Sequence, residues 1–418
     1  MGLLQRLLEQ QLDDTPYLAF TELIETKLEA QGISLSPRER ERLQSRLRSE
    51  TDDAGKFRLR PWKWWDKRGV SIQVTKEELQ QFKTGVSSFL ESGLQQVIDE
   101  VSADVADTIL GTLRKTWRRE KRKQDTEIRR FRSQLTRRWE PALSLLRMFV
   151  TISRELGEEV STSYFESEDQ ERPTLMDVQV RLHARACQVS EEVICLLGAG
   201  FADGAMARWR TLHEIAVVAL LLGEHGEALA KRYVAHEVVE SRKAAREYQK
   251  HCDTLGYEPL TPEELSDLVQ HYEDAVGRYG QDFNAPYGWA AGFSHSSRPS
   301  FADIERAAGI DHLRSYYKLA SHQVHSNPKG VFFKMGLMDE TDVLLAGPSD
   351  FGLADPGQNT AVSLSQVTSS LFAVAPTLDG IVGAKILTAL APEVCELFVQ
   401  VQLQYELGER SAPNLNNK

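Results

Sequence analysis

The sequence predicts an all-α protein with an N-terminal helical region, a long basic connecting helix and a C-terminal multi-helix bundle. Three observations carry this. Apolar residues recur at three- and four-residue steps through most of the chain. Helix starts are punctuated by capping signatures such as Thr75/Glu78, Thr261/Glu264 and Ser300/Asp303. The period-two alternation of a strand is confined to the few residues after Lys56. With 418 residues, 41% of them hydrophobic and 27% charged, the chain can bury a sizeable core and has the composition of an ordinary soluble protein.

Residues 3–31 carry leucines at helical spacing and stop at Gly32. Ser36-Pro37-Arg38-Glu39 opens the next helix, with Ser36 as N-cap and Pro37 in the first turn. Residues 57–74 read as a short hairpin or an extended crossing. There Trp62, Trp64 and Trp65 lie among Arg58, Arg60, Lys63, Lys67 and Arg68. Such interleaving can stack on single-stranded nucleic acid, but the burial habit of aromatics favours tryptophans anchored in a core with cations at the rim. A helix is expected over 76–108, closing an N-terminal region at 1–110.

Residues 111–140 form the basic helix. From Thr112 to Glu140, twelve Lys/Arg against four Asp/Glu leave +8, in a chain of net charge -11. Leu113, Trp117, Ile128, Phe131, Leu135 and Trp139 make one apolar stripe. The opposite face holds Arg114, Lys115, Arg118, Arg119, Lys121, Arg122, Lys123, Arg129 and Arg130. It could follow a phosphate backbone, or simply be a solvated face that offsets the acidic remainder.

The C-terminal bundle spans 141–408, beginning at Pro141, and 409–418 is expected to be a disordered tail. A helix over 141–156 is followed by a polar loop to Pro173, a long helix from about 174, and a restart at Asp203-Gly204. That last helix, over 204–222, turns apolar on all sides and must be central. Helical pattern continues over 226–253 and from Thr261 to Tyr279, and 280–300 reads as a loop. A short helix runs to Ala308. Residues 309–330 read as one helix ending at a Pro/Gly stop. Residues 331–358 suggest an excursion with a short strand pair, Thr360–Leu390 a long helix, and Pro392 the start of the last.

Two constellations could carry chemistry. On the central helix, Arg210, His213 and Glu214 form a polar patch in apolar surroundings. Buried, they must pair, either as a helix tie or as a site that binds phosphate or orients a histidine. On 309–330, Arg314, Lys318, His322 and His325 fall along one side, two of them able to carry a proton near neutrality. The His322/His325 pair falls short of the three ligands of a catalytic zinc site. His295, Glu214 or Asp303 would have to supply the third, and no metal or cofactor is expected. Neither a nucleophile elbow nor a phosphate-binding glycine loop is present. The four cysteines form no CxxC pair and suggest buried, reduced thiols. The N-terminus lacks the pattern of a secretory signal or a myristoylation site. The longest apolar run, 215–223, is too short to span a bilayer. The expected setting is the cytoplasm, without a membrane partner.

The Arg-Thr-Leu-His-Glu run at 210–214, Ala-Ala-Gly-Ile at 307–310 and the stretch from Tyr316 to Pro328 resemble an uncharacterised bacterial helical family, domain of unknown function 5677, over about residues 140–390. That family's helical layout is similar to the higher-eukaryote and prokaryote nucleotide-binding (HEPN-like) domains. The resemblance implies a metal-independent ribonuclease of a toxin–antitoxin or antiviral defence system, acting as a homodimer with four to six residues between an Arg and a His. Arg208 and His213 have that spacing, with Trp209 where a polar residue is usual. Arg314 and His322 are further apart. The reading is an RNA-targeting effector with Arg210, His213, Glu214, His322 and His325 as catalytic candidates. The basic face, with Arg314 and Lys318, would contact RNA or single-stranded nucleic acid. The alternative is a non-catalytic module that docks nucleic acid or a partner protein.

Overall fold

The computed structural model describes residues 17–49, 72, 74–88, 94–168, 170–338 and 344–411. The Trp62/Trp64/Trp65 segment and residues 412–418 lie outside them. Among the described residues every regular element is helical, as the apolar periodicity requires. The chain divides into two compact units, Met1–Thr126 and Glu127–Lys418.

In the first unit, α1 (17–29) and α2 (Pro37–Ser49) pack Phe20, Ile24 and Leu28 against Leu43 and Leu47. α3 (Lys76–Ser88) adds Phe82, whose ring meets Phe20 edge-on at 5.4 Å. Thr75 and Glu78 close the expected capping box.

α4 (Leu94–Glu166) is one 73-residue helix, and the boundary between the units falls inside it. Pro141 does not interrupt it, and it continues into the stretch expected to be a loop, as far as Glu166. A proline removes one donor from a helix interior; here about seven further turns packed on the core outweigh that local loss. The apolar stripe behaves differently along its length. Leu135 and Trp139 are fully buried, whereas Leu113, Trp117 and Ile128 are exposed.

The second unit is built around α6 (Ala202–Ala235). α5 (Pro173–Gly198), α12 (Ala354–Val374) and α10 (Arg314–Val324) pack on it. α6 buries Met206, Trp209, Leu212, Ala216, Val217, Leu221 and Leu222, so it is central as its composition demands. Its polar interior is satisfied by α12: the Trp209 indole donates to the Asn359 carbonyl at 2.9 Å and to Ser363 Oγ at 3.0 Å. α6 bends at Gly226, whose φ of 74° belongs to the left-handed region. α7 (Glu237–Leu255) and α8 (Pro262–Tyr279, with a capping box at Thr261/Glu264) then form a hairpin. α9 (Phe301–Ala307) is capped by Ser300/Asp303.

Four further expectations change. Residues 309–330 are not one helix: a 3-10 turn at Asp311–Leu313 precedes α10, and Ser326 takes a left-handed φ of 48°. Asn327 then caps the short α11 (Pro328–Phe332), accepting from the Gly330 amide at 3.0 Å. The Ser-Asn-Pro sequence ends one helix and starts another. No strand pair occurs among the described residues of 331–358. The break between the last two helices lies at 375–377, not at Pro392. Thr377 caps α13 (Leu378–Ser411), its hydroxyl accepting from the Gly380 amide at 2.9 Å, and Pro392 sits inside that helix. All four cysteines are free, and Cys195 is exposed rather than buried.

Candidate functional site

α6 and α10 bring two arginines to one tyrosine, Tyr317, with the Arg210 and Arg314 guanidinium carbons 4.9 and 5.8 Å from its ring centroid. The first cluster is Arg210, Glu214, Tyr317 and His325. Arg210 Nε donates to Glu214 Oε1 at 3.1 Å, Nη2 donates to the Tyr317 hydroxyl at 3.0 Å, and Nη1 lies 3.3 Å from His325 Nε2. Tyr317 in turn donates to Glu214 Oε1 at 2.8 Å. A guanidinium has five N–H donors, so two remain for an incoming anion. Burial pushes the Tyr317 phenol well above its ordinary range, reinforced by the Glu214 carboxylate and opposed by Arg210. The phenol therefore stays a neutral donor. Burial works to lower the Arg210 pKa, but its interactions with Tyr317 and Glu214 hold it above the ordinary value. His325 caps α10 and is exposed, so the cluster opens to solvent at its imidazole.

The second cluster is His213, Glu305 and Arg314. His213 Nε2 and Glu305 Oε1 are 2.7 Å apart with both side chains wholly buried. Arg314 Nη1 donates to Glu305 Oε2 at 2.5 Å. Burial lowers the His213 pKa against the pull of Glu305. The neutral ring donating through Nε2 fits that balance, with Arg314 neutralising the carboxylate. His213 Nδ1 then has no partner among the described residues. The ring packs beside Trp209 at 5.3 Å, Tyr317 at 5.7 Å and Phe301 at 6.2 Å.

Of the residues singled out from sequence, the structure therefore joins Arg210, Glu214 and His325. His213 does not share their patch; its side chain enters the core. His322 is held by Asn327, whose Nδ2 lies 2.6 Å from His322 Nδ1. Arg314 is committed to Glu305, while Lys318 is exposed. Arg208 pairs with Glu192 of α5 and does not meet His213. On α4, Arg114, Lys115, Arg118, Arg119, Lys121, Arg122, Lys123, Arg129 and Arg130 are all exposed, with Arg119 and Lys123 paired to Glu120. Glu305 carries no motif that sets it apart in the sequence, and Tyr317 falls within the Tyr316–Pro328 stretch without being singled out there. Their signal is positional: Glu305 follows Phe301 and Ile304 on the buried face of α9, and Tyr317 lies between Leu313 and Ala320 on that of α10.

Residues 176–342 match a family of unknown function, DUF5677. That stretch holds every member of both clusters, from α5 through α11. No curated protein and no solved structure matches the chain. Among the described residues no group of three or more His, Cys, Asp or Glu could hold a metal, and no helix is long and apolar enough to cross a membrane.

Proposed function

We propose that the protein is an RNA-targeting effector that cleaves phosphodiesters without a metal, with Arg210 and His325 at the reacting centre. The observation that carries the reading is the 3.3 Å approach of the Arg210 guanidinium to His325 Nε2 at a solvent-open helix end. An imidazole and a guanidinium side by side suit attack of a ribose 2′-hydroxyl on its own phosphate. His325 takes the hydroxyl proton as O2′ bonds to phosphorus. The bond to O5′ breaks, O5′ takes a proton from water, and the hydroxide so formed takes back the proton held by His325. The two spare N–H donors of Arg210 neutralise the non-bridging oxygens. Glu214 and Tyr317 touch no reacting atom and hold the guanidinium in place. The exposed cations of α4 would bind the strand. The likeness to HEPN-like domains of bacterial defence systems, often homodimers, supports the same reading. It does so without the Arg208/His213 pair, which does not come together here.

Incubation with single-stranded RNA tests this. Products should end in a 2′,3′-cyclic phosphate and a 5′-hydroxyl, and His325→Ala should abolish them while His322→Ala leaves them. Equal cleavage by the parent and His325→Ala would remove His325 from the chemistry. A second reading, a binding module without catalysis, is favoured by the exposed Leu113, Trp117 and Ile128 beside the cationic face of α4. It predicts salt-sensitive RNA retention with intact RNA.

A further inference from the structure

A cavity of about 530 Å³ opens beside the first cluster, and its chemistry is the opposite of a phosphate site. It is bounded by α6, the start of α7, the loop around Pro286–Trp289 and α9. Its walls are aromatic: Tyr233, Tyr287, Trp289 and Phe301 line it, over Val218 and Ile304. Tyr233 and Trp289 meet edge-to-face at 5.0 Å, and Tyr287 and Phe301 lie 6.1 Å apart, so the rings hold one another in place. The hydroxyls of Tyr233 and Tyr287 have no hydrogen-bond partner among the described residues.

The charged groups on the lining are all carboxylates: Glu214, Glu237 and Glu240. His236 also lines it, but its Nε2 donates to the Ala285 carbonyl at 3.0 Å and burial lowers its pKa, so it adds no positive charge near neutrality. Glu214 gives Oε1 to Arg210 and Tyr317, and its other oxygen has no partner among the described residues. Glu237 accepts from the Ser241 hydroxyl, and Glu240 pairs with Lys243 at 2.8 Å on exposed ground. No Lys or Arg lines the cavity.

We propose that this cavity is a binding site for an organic ammonium ion. The electron-rich faces of tyrosine and tryptophan attract a cation, most strongly where water is excluded, and a carboxylate at the wall completes the recognition. A cavity of this volume suits a small molecule rather than a macromolecular chain. An anion would meet three carboxylates and no Lys or Arg on the lining, since Arg210 and Lys243 pair with Glu214 and Glu240 from outside it. The site is distinct from the proposed cleavage chemistry and does not depend on it, although Glu214 belongs to both.

The test is calorimetric titration of the full chain with choline and with spermidine, and with the uncharged tert-butyl isostere of choline as control. One or both amines should bind, and the isostere should bind at least about tenfold more weakly, the share that a desolvated cation–aromatic interaction supplies. Tyr287→Ala, which removes a half-buried wall, should weaken binding by a similar factor. The exposed rim exchange Glu237→Gln/Glu240→Gln should weaken spermidine more than choline, with unchanged thermal melting. The proposal is overturned if neither amine binds, if the isostere binds as tightly, or if both variants bind as the parent does.

Discussion

His213 and Glu305 share a 2.7 Å hydrogen bond with neither side chain exposed to water. Arg314 holds the other carboxylate oxygen, so α6, α9 and α10 are joined through one buried carboxylate. Glu305→Ala would leave His213 without a partner for its ring N–H and Arg314 half-buried without a counter-ion. Breaking a buried pair from one side costs about 3–5 kcal/mol. Glu305→Gln keeps an acceptor for His213 and should lose clearly less. Urea unfolding measures both; a loss below about 1 kcal/mol in Glu305→Ala would mean that this bond does not hold the helices together.

Arg210 and His325 should separate by their effects on stability. Arg210 has three partners and little exposure, so Arg210→Ala should cost about 1–3 kcal/mol as well as cleavage. His325 is exposed, and His325→Ala should stay within about 0.5 kcal/mol of the parent while cleavage is lost. Thermal melts beside RNA cleavage assays decide it. If His325→Ala melts as early as Arg210→Ala, the imidazole is a structural prop.

Stability should fall below neutral pH because of His183. It lies on α5 facing Thr368 Oγ1 at 3.2 Å and the Cys187 thiol at 3.8 Å, and burial pushes its pKa from 6.5 down to about 4. Burial likewise pushes the Cys187 thiol up to about 12, so that neighbour stays uncharged. The unfolded chain protonates this histidine first. The contribution is intact above pH 6.5 and is lost as pH falls toward 4, on the order of 3 kcal/mol in all. Asp203 and Asp355, whose pKa values burial raises, act with the opposite sign, so the informative quantity is the difference between the parent and His183→Gln. Denaturation at several pH values between 4 and 7 should give a flatter profile for the variant. Parallel profiles would show that this imidazole is not the acid-sensitive group.

RNA affinity should depend on the cationic face of α4. Replacing Arg118, Lys121 and Arg122 by glutamine removes three positive charges from exposed positions. For a single strand the logarithmic salt slope should become shallower by about 2, at roughly 0.7 for each phosphate no longer neutralised. Filter binding between about 50 and 200 mM salt is the measurement. An unchanged slope would place the strand elsewhere.

The helical character of the chain, the central place of α6 and the capped starts at Thr75, Thr261 and Ser300 were legible from residue order alone. Each rests on neighbours three or four positions apart, so local periodicity and capping chemistry determine it. The meeting of Arg210 with His325, and the removal of His213 into a pair with Glu305, were not legible. These partners lie 115 and 92 residues apart in the chain. Which of them meet depends on how α6, α9 and α10 cross. Pro141, Pro376 and Pro392 teach the same lesson. The first and third stay inside helices that tertiary packing sustains, and helix α12 stops just before the second, where Thr377 supplies the next cap. Sequence determined which faces are apolar and where charge accumulates. Packing alone decided which buried charge each polar side chain would answer, because in a desolvated core a polar group must take whatever partner the crossing helices bring within reach.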